Sequence, residues 1–118
     1  MKNYQLIKTG DCYQAAGNFI IDNLSKRDDL ILVHAQVVGQ GAIQGVKYGH
    51  AWVEDKEGNV HDYSNGRNIV LPKQVYYMLG GVKEVEPIYY KYTMKEARNK
   101  MLKEGHYGPW DLKTETGL

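Results

Sequence analysis

The sequence has few of the features that mark several large classes of proteins. It contains one cysteine, which excludes a disulfide within the chain and hence a disulfide-stapled fold. No apolar run approaches the about 20 residues that a membrane-spanning helix needs. The N-terminal residues also lack the apolar segment of a secretory signal. We therefore expect a protein of a reducing compartment, and the cytoplasm is the predicted location.

An excess of charge of either sign is also missing. Lys and Arg number 15 against 14 Asp and Glu, so the formal net charge is +1. Nucleic acid binding draws on a basic surface, so no nucleic acid partner is expected, and no membrane partner either. The chain has 118 residues, of which 42% are hydrophobic. This length and composition predict a single domain over residues 1–118 with one hydrophobic core.

Residues 11–24 show the periodicity of an amphipathic helix. Its apolar stripe consists of Cys12, Ala15, Ala16, Phe19 and Ile20. Asp11 is the predicted N-cap. Cys12 then lies in the first turn, where unpaired backbone N–H groups and the helix dipole favour a thiolate.

The remaining elements are predicted from β-branched runs and from helix start and stop signals. The last helix starts at Thr93, which forms a capping box with Glu96. Its buried stripe is predicted to be Met94, Ala97, Met101 and Leu102. The other predicted elements are strands at residues 30–38, 46–54 and 84–92, and a short helix opened by Pro72 and ended by Gly80 and Gly81.

Residues 49–66 read as a hairpin with a polar face. If Lys56, Glu57 and Gly58 form the loop with Gly58 left-handed, Asp55 pairs with Asn59. In this register Trp52 lies opposite Asp62, and His50 lies diagonally from Asp62 on the same face of the hairpin. His61 points to the other face. Diagonal neighbours are about 7–8 Å apart, within reach of an imidazole and a carboxylate.

These residue types suit nucleophilic catalysis by a thiol. His50 would deprotonate Cys12, and Asp62 would fix the tautomer of the imidazole and stabilise its cationic form. The alternative is that Cys12 is a small buried hydrophobe of the helix stripe, as many cysteines outside disulfides are. The downstream His and Asp favour the catalytic interpretation.

The order of these pieces resembles the transglutaminase-like branch of the papain-like cysteine enzymes. The matching segments are GDCYQAAGNFI, LVHAQVVGQG and GHAWVEDKEGNVHD, which together cover residues 10–62, and HAW is the most specific of them. The resemblance implies an α+β fold with the helix of the nucleophile packed on an antiparallel sheet and a C-terminal helix. It also implies Cys12 as nucleophile, His50 as general base and then acid, and Asp62 as orienter. The whole is also similar to small proteins of bacteria and their phages.

Two positions depart from the family pattern. Asp62 is followed by Tyr63 rather than by proline, which makes Asn65 a second candidate for the orienter. An aromatic residue usually follows the cysteine soon, and Tyr13 is the candidate for that place.

For the oxyanion, the backbone N–H of Cys12 is the first predicted donor, and the amide of Gln5 or Gln36 is a further candidate. We therefore predict Trp52, Tyr13 and Gln36 as residues that contact the substrate.

Other readings of single residues stay open beside the catalytic one. Trp52 either forms a wall of the site or fills the core. His34, in a branched strand, is predicted to be a buried histidine with its hydrogen bonds satisfied, while His61 and His106 are predicted at the surface. No pair of His or Cys residues has the spacing of a known metal site, so neither a metal nor another cofactor is expected. GQGAIQG lacks the lysine of a phosphate-binding loop and is predicted as a loop beside the site.

The predicted function is therefore thiol-dependent acyl transfer. Hydrolysis of an amide bond in a peptide or protein substrate comes first, and transfer of the acyl group to an amine is the near alternative. A papain-like fold that only binds or inhibits a partner is a competing hypothesis from another class. A pocket for a small ligand built from the tyrosines is a third. The substrate and the oligomeric state do not follow from the sequence.

Overall fold

The chain forms an α+β fold in which an antiparallel sheet carries helices. The computed structural model describes residues 11–39 and 41–115, which contain three α-helices and a five-stranded sheet. In chain order the elements are α1 (Cys12–Asn23), β1 (Ile31–Val38), β2 (Lys47–Glu54), β3 (Asn59–Asp62), β4 (Ile69–Pro72), α2 (Lys73–Gly80), β5 (Tyr89–Thr93) and α3 (Met94–Glu104). Two 3₁₀ turns lie at Gly41–Ile43 and Ser64–Gly66. None of the helices in the described residues has the length and apolar character needed to cross a membrane.

Strand β1 lies inside the sheet between β2 and β5, in the order β4-β3-β2-β1-β5. Successive side chains of a strand point to opposite faces, and in β1 both faces are buried. Leu32 belongs to a core that also contains residues of α1 and α3, whereas Val33 belongs to a second core with Tyr77 of α2. Helices therefore cover both faces of the sheet, α1 and α3 on one and α2 on the other.

The β2–β3 hairpin has the predicted register. The N–H of Asp55 donates to the carbonyl of Asn59 at 3.0 Å, and Gly58 is left-handed with a φ of 86°. Glu54 pairs with Val60 in the ladder. Continued by two residues, this register puts Asp62 opposite Trp52 and on the same face. The prediction from the sequence is confirmed here because the glycine fixes the turn and the turn fixes the pairing.

Helix α1 begins at Cys12, and Asp11 occupies the N-cap position as predicted. The side chain of Asp11 makes no capping hydrogen bond. Its Oδ2 instead accepts the backbone N–H of Asn65, at 3.0 Å, from the 3₁₀ turn that follows β3. The residue before the cysteine is thereby joined to the segment that follows Asp62.

Three expectations about the elements need correction. The strand predicted at residues 84–92 begins only at Tyr89, because Ile88 donates to the carbonyl of Val85 in a turn. Strand β4 was not predicted, since its four residues directly precede a helix and show no long alternation. Leu102, predicted to be buried, is 76% exposed on the outer side of α3. The capping box of Thr93 and Glu96 and the end of α2 at Gly81, which is left-handed, are confirmed.

The segment after α3 packs back on the sheet. Tyr107 and Trp110 contact the core shared by α1 and α3, and the Tyr107 hydroxyl donates to the side-chain oxygen of Asn18 at 2.9 Å. Close packing here depends on Gly17, because a Cβ at that position would lie 2.5 Å from the Tyr107 ring. The tail is thus part of the core packing.

His34 lies inside an aromatic enclosure. Its ring centroid is 4.9 Å from that of Tyr13, 5.2 Å from that of Tyr92 and 4.8 Å from that of Trp110. The side chain is fully buried as predicted, but neither ring nitrogen has a hydrogen-bond partner among the described residues. The expectation of a satisfied histidine is therefore wrong. Burial lowers the pKa of His34 to about 3, against a smaller opposing effect of the Asp111 charge.

This buried neutral imidazole predicts a loss of stability in mild acid. An unfolded histidine takes up a proton below a pKa of about 6.5, whereas folded His34 does not until pH is close to its lowered pKa. The unfolded state binds more protons over this window, so stability falls as pH falls. His34→Phe keeps a ring in the enclosure but has no group that takes up a proton. Measured by urea unfolding, its free energy of unfolding should fall less than that of the wild type between about pH 7.5 and about pH 5, and the two losses should differ by up to about 2 kcal/mol.

A matched control for this experiment is His106→Phe. His106 is exposed, and its replacement should leave the pH dependence of unfolding unchanged. Equal acid-induced losses in the wild type and in His34→Phe would contradict the assignment of this effect to His34.

Candidate active site

A histidine and an aspartate form a buried pair at the end of the hairpin. His50 is on β2 and Asp62 ends β3, and the distance between Nε2 and Oδ2 is 3.0 Å. Both side chains are almost fully buried, with exposed fractions of 5% and 2%. The diagonal arrangement predicted from the turn therefore brings these two groups into direct contact.

Asp62 is surrounded by hydrogen-bond donors besides His50. Its Oδ1 accepts from the backbone N–H of Ser64 at 3.0 Å and from the Ser64 hydroxyl at 2.6 Å. Its Oδ2 accepts from the hydroxyl of Tyr76 on α2 at 2.6 Å, and Nη2 of Arg67 lies 3.5 Å away. Burial works to raise the pKa of Asp62, but the bonds to His50, Ser64 and Tyr76 hold it well below its usual range. The carboxylate is therefore ionised.

The ionised carboxylate fixes the tautomer of the histidine. A carboxylate only accepts hydrogen bonds, so Nε2 of His50 carries a proton and donates it to Asp62. In the neutral imidazole Nδ1 is then the proton acceptor, the state that a general base requires. Nδ1 is buried as well, and it is the ring nitrogen left for a bond with the Cys12 thiol.

The thiol of Cys12 is the other group that acts on His50. Burial lowers the pKa of His50, but hydrogen bonding to Asp62 and to the Cys12 side chain, together with the charges of both, outweighs it and raises the pKa to about 9. Cys12 exposes none of its surface and belongs to the same core as Ala51, the residue after His50. Thiol, imidazole and carboxylate thus form one buried group in which His50 is the central member.

Backbone donors also lie at this end of α1. The first intrahelical bond described runs from the N–H of Ala15 to the carbonyl of Asp11, at 2.8 Å. The N–H groups of residues 12–14 precede it and point along the helix axis away from the helix body. This is the geometry from which a backbone donor can serve a developing negative charge.

A second polar network supports the histidine from the core. The ring of Trp52 lies 6.1 Å from that of His50, and its Nε1 donates to Oε2 of Glu54 at 2.9 Å. The Tyr77 hydroxyl donates to the same oxygen and also contacts the Tyr89 hydroxyl at 2.7 Å. Trp52 is fully buried and belongs to the core that contains Tyr77, which favours the reading of this residue as core beneath His50.

The other two residues predicted to contact substrate are also engaged elsewhere. Tyr13 is 8% exposed and packs edge-on against His34. The amide of Gln36 donates to Oε1 of Glu115 at 2.7 Å and accepts the N–H of that residue at 2.7 Å. Both side chains therefore serve packing and tail attachment in this structure. Gln5 lies outside the described residues.

Asp62, not Asn65, is the partner of His50. Asn65 is left-handed with a φ of 54°, and its backbone N–H donates to Asp11. The remaining histidines lie apart from the site. His61 bonds to Asp55 at 2.7 Å and to the Tyr63 hydroxyl at 3.0 Å and is only partly exposed, while His106 is exposed as predicted. Within residues 11–39 and 41–115 no group of three or more His, Cys, Asp or Glu side chains could hold a metal ion.

A cavity of about 250 Å³ opens beside the His50–Asp62 pair. Tyr48, Tyr76 and Arg67 lie in its wall next to the pair. Sequence reasoning missed Ser64, Arg67 and Tyr76. Ser64 follows Asp62 by two residues, the spacing at which an aspartate accepts the N–H of a turn, so a local signal existed. Arg67 and Tyr76 reach Asp62 through tertiary packing and have no such signal.

The contact between His50 and Asp62 predicts that the pKa of His50 depends on the charge of Asp62. Asp62→Asn keeps the size of the side chain but removes the negative charge that favours the imidazolium. Followed by NMR of the imidazole resonances, the His50 pKa should fall by about one unit or more from its wild-type value. Asp55→Asn is the matched control, because it makes the same change beside His61. An unchanged His50 pKa in Asp62→Asn would contradict the coupling.

Searches of family models, curated proteins and solved structures returned nothing similar to this chain. The α+β architecture and the geometry of the site therefore stand on the sequence and the structure themselves.

Proposed function

We propose that the chain is a thiol-dependent acyl-transfer enzyme with Cys12 as nucleophile, His50 as base and acid, and Asp62 as orienter. The observation that carries the proposal is the contact of His50 with both other groups. Its Nε2 bonds to Asp62 at 3.0 Å, and the Cys12 thiol raises the pKa of the same ring. Three residues from separate parts of the chain thus supply the thiol, the imidazole and the carboxylate that together activate a thiol nucleophile.

The architecture supports a place in the papain-like superfamily, on its transglutaminase-like branch. A helix begins at the cysteine, packs on an antiparallel sheet, and meets a histidine and an aspartate on two adjacent strands. This is the arrangement that the resemblance in residues 10–62 implies. A thiol chemistry of this kind suits the reducing environment of the cytoplasm.

The reaction begins with transfer of the thiol proton to Nδ1 of His50. The thiolate attacks the carbonyl carbon of an amide, and the C–S bond forms as the carbonyl electrons move to oxygen. The N–H groups at the start of α1 receive this oxyanion. When the oxyanion collapses, the C–N bond breaks, and the leaving amine takes the proton from His50. Throughout, Asp62 holds Nε2–H and stabilises the imidazolium.

The acyl-enzyme is released by a second nucleophile. Water, deprotonated by His50, attacks the thioester and yields a carboxylic acid, while the proton returns to the Cys12 sulfur. Hydrolysis of a peptide or protein amide is the first choice. An amine in place of water gives transfer, and the near-complete burial of His50 and Cys12 favours an amine to the extent that it excludes water.

One observation supports a second candidate, a papain-like module that binds a partner without catalysis. Cys12 exposes none of its surface, so a carbonyl compound reaches the sulfur only after a movement of its surroundings. The two candidates differ in the behaviour of the thiol, since a catalytic site must open to its substrate.

Alkylation by iodoacetamide separates these candidates. At about pH 6, His50→Ala should slow alkylation of Cys12 by about 10- to 100-fold, because the base that takes the thiol proton is lost. The difference should shrink by about pH 9.5, where an ordinary thiol with a pKa of about 8.5 ionises unaided and His50, with a pKa of about 9, loses its proton. Alkylation is measured as mass gain against time.

His106→Ala is the control for the alkylation series, since His106 is exposed and outside the site. It should react like the wild type at each pH. A thiol that resists the reagent, or one whose rate is insensitive to His50, would contradict the enzyme proposal and favour the binding module.

A second prediction concerns the covalent intermediate. With p-nitrophenyl acetate the wild type should release p-nitrophenolate repeatedly and carry one acetyl group on Cys12 in mass spectra of the quenched protein. His50→Ala should turn over at least about 100-fold more slowly, since general acid–base catalysis contributes about that much. An added primary amine should appear as its acetamide if transfer competes with hydrolysis. Equal release by Cys12→Ala would show that the thiol is not the nucleophile.

A further inference from the structure

The cavity beside the His50–Asp62 pair has an aliphatic wall. Six side chains or backbone positions from four parts of the fold contribute to it: Val37, Val38, Ile43, Ile69, Leu71 and Leu79. Its volume of about 250 Å³ is below the about 300–1,000 Å³ of pockets that hold drug-sized ligands. The space therefore fits one aliphatic side chain with its adjoining backbone.

Arg67 places a cation in the wall of this cavity. Its Nη2 donates to the Ser64 hydroxyl at 2.8 Å and its Nε to the Ser64 carbonyl at 3.3 Å. These bonds fix the plane of the guanidinium on its inner side and do not use Nη1, and 46% of the side chain stays exposed. A guanidinium held in this way is preorganised to pair with a carboxylate.

The contacts of Asp62 leave Arg67 able to bind an anion. Asp62 is the one carboxylate and Arg67 the one lysine or arginine among the described residues that line the cavity. Asp62 already bonds to His50, Ser64 and Tyr76 at 2.6 to 3.0 Å, and its contact with Nη2 of Arg67, at 3.5 Å, is the longest of these. The guanidinium therefore remains available to a second carboxylate.

We propose that this cavity binds the C-terminal residue of a peptide, with its aliphatic side chain against Ile69, Leu71 and Leu79 and its free carboxylate on Arg67. The inference rests on the proposed function, for which it names the substrate class. The same cavity touches His50, the group that hands a proton to the leaving amine, so a peptide end bound here lies beside the reacting atoms.

The test is a titration of the full chain carrying Cys12→Ala, in which no acyl transfer interferes. N-acetyl-leucine and N-acetyl-leucinamide are compared by ¹⁵N NMR, because they differ only in the charged terminus. The acid should bind with a Kd on the order of 1 mM, and the amide about tenfold more weakly, as expected for loss of a charge-assisted hydrogen bond. Shifts should map to β4 and to the end of α2.

Variants with matched controls assign the two halves of the ligand. Arg67→Gln should make the acid bind as weakly as the amide, whereas Arg67→Lys should keep part of the preference for the acid. The control Arg98→Gln, at an exposed position of α3, should keep all of that preference. Leu79→Ala should weaken both ligands, and Leu102→Ala, also an exposed leucine, should not. N-acetyl-alanine should bind more weakly than N-acetyl-leucine.

The inference is overturned if the acid and the amide bind the Cys12→Ala protein equally, if neither binds, or if the NMR shifts map to another surface. It is also overturned if Arg67→Gln weakens both ligands equally, because the arginine would then have a structural role only. Failure here with normal alkylation of Cys12 removes only the substrate class. Binding here with an unreactive thiol removes the enzyme proposal and leaves a peptide-end binding site.

Discussion

The hydrogen bond between His50 and Asp62 is the interaction around which the site is arranged. Two groups that carry charge lie in a nearly water-free place, where an unpaired charge costs several kcal/mol. The cost is offset because each charge faces the other at 3.0 Å and because the carboxylate has three further donors, from Ser64 and Tyr76. The sheet, α2 and the turn after β3 all contribute a group to this one carboxylate.

Two buried histidines on adjacent strands show how much the surroundings decide. His34 on β1 is paired in register with Ala51, the neighbour of His50 on β2. His34 is enclosed by aromatic rings, and burial lowers its pKa to about 3, whereas His50 meets a carboxylate and a thiol and has a pKa of about 9. Burial acts on both in the same direction, and only the partner of His50 reverses it. One imidazole thus stays neutral in the core, whereas the other holds a proton more strongly than a free histidine does.

How far sequence reasoning reached depends on the range of the interactions involved. The hairpin register and the capping box of α3 were correct because each is set by residues a few positions apart. The strand expected at residues 84–92 was too long because a turn before Tyr89 competes with it. Leu102 was placed in the core because it follows Met101, yet α3 packs with one side only and leaves Leu102 in solvent.

The predicted contacts with substrate depended on long-range packing in the same way. Trp52 shares a face with His50, as the strand period requires, but that face is covered by α2 and the residue became core. Gln36 was expected near the oxyanion, and its amide is instead taken by Glu115, at a separation of 79 residues. No local sequence pattern indicates a hydrogen-bond partner that lies so far along the chain.

By itself the sequence determined the start of α1 at Cys12, the turn at Gly58 and hence the shared face of His50 and Asp62. Only the tertiary structure decided that Tyr76 and Arg67 reach the same carboxylate, that the Cys12 sulfur is buried beside the imidazole, and that an aliphatic cavity adjoins the pair. The physical reason is that turns, caps and strand alternation are set by neighbours in the chain. The pKa of a buried group and the shape of a cavity are set by whatever elements the fold packs against it.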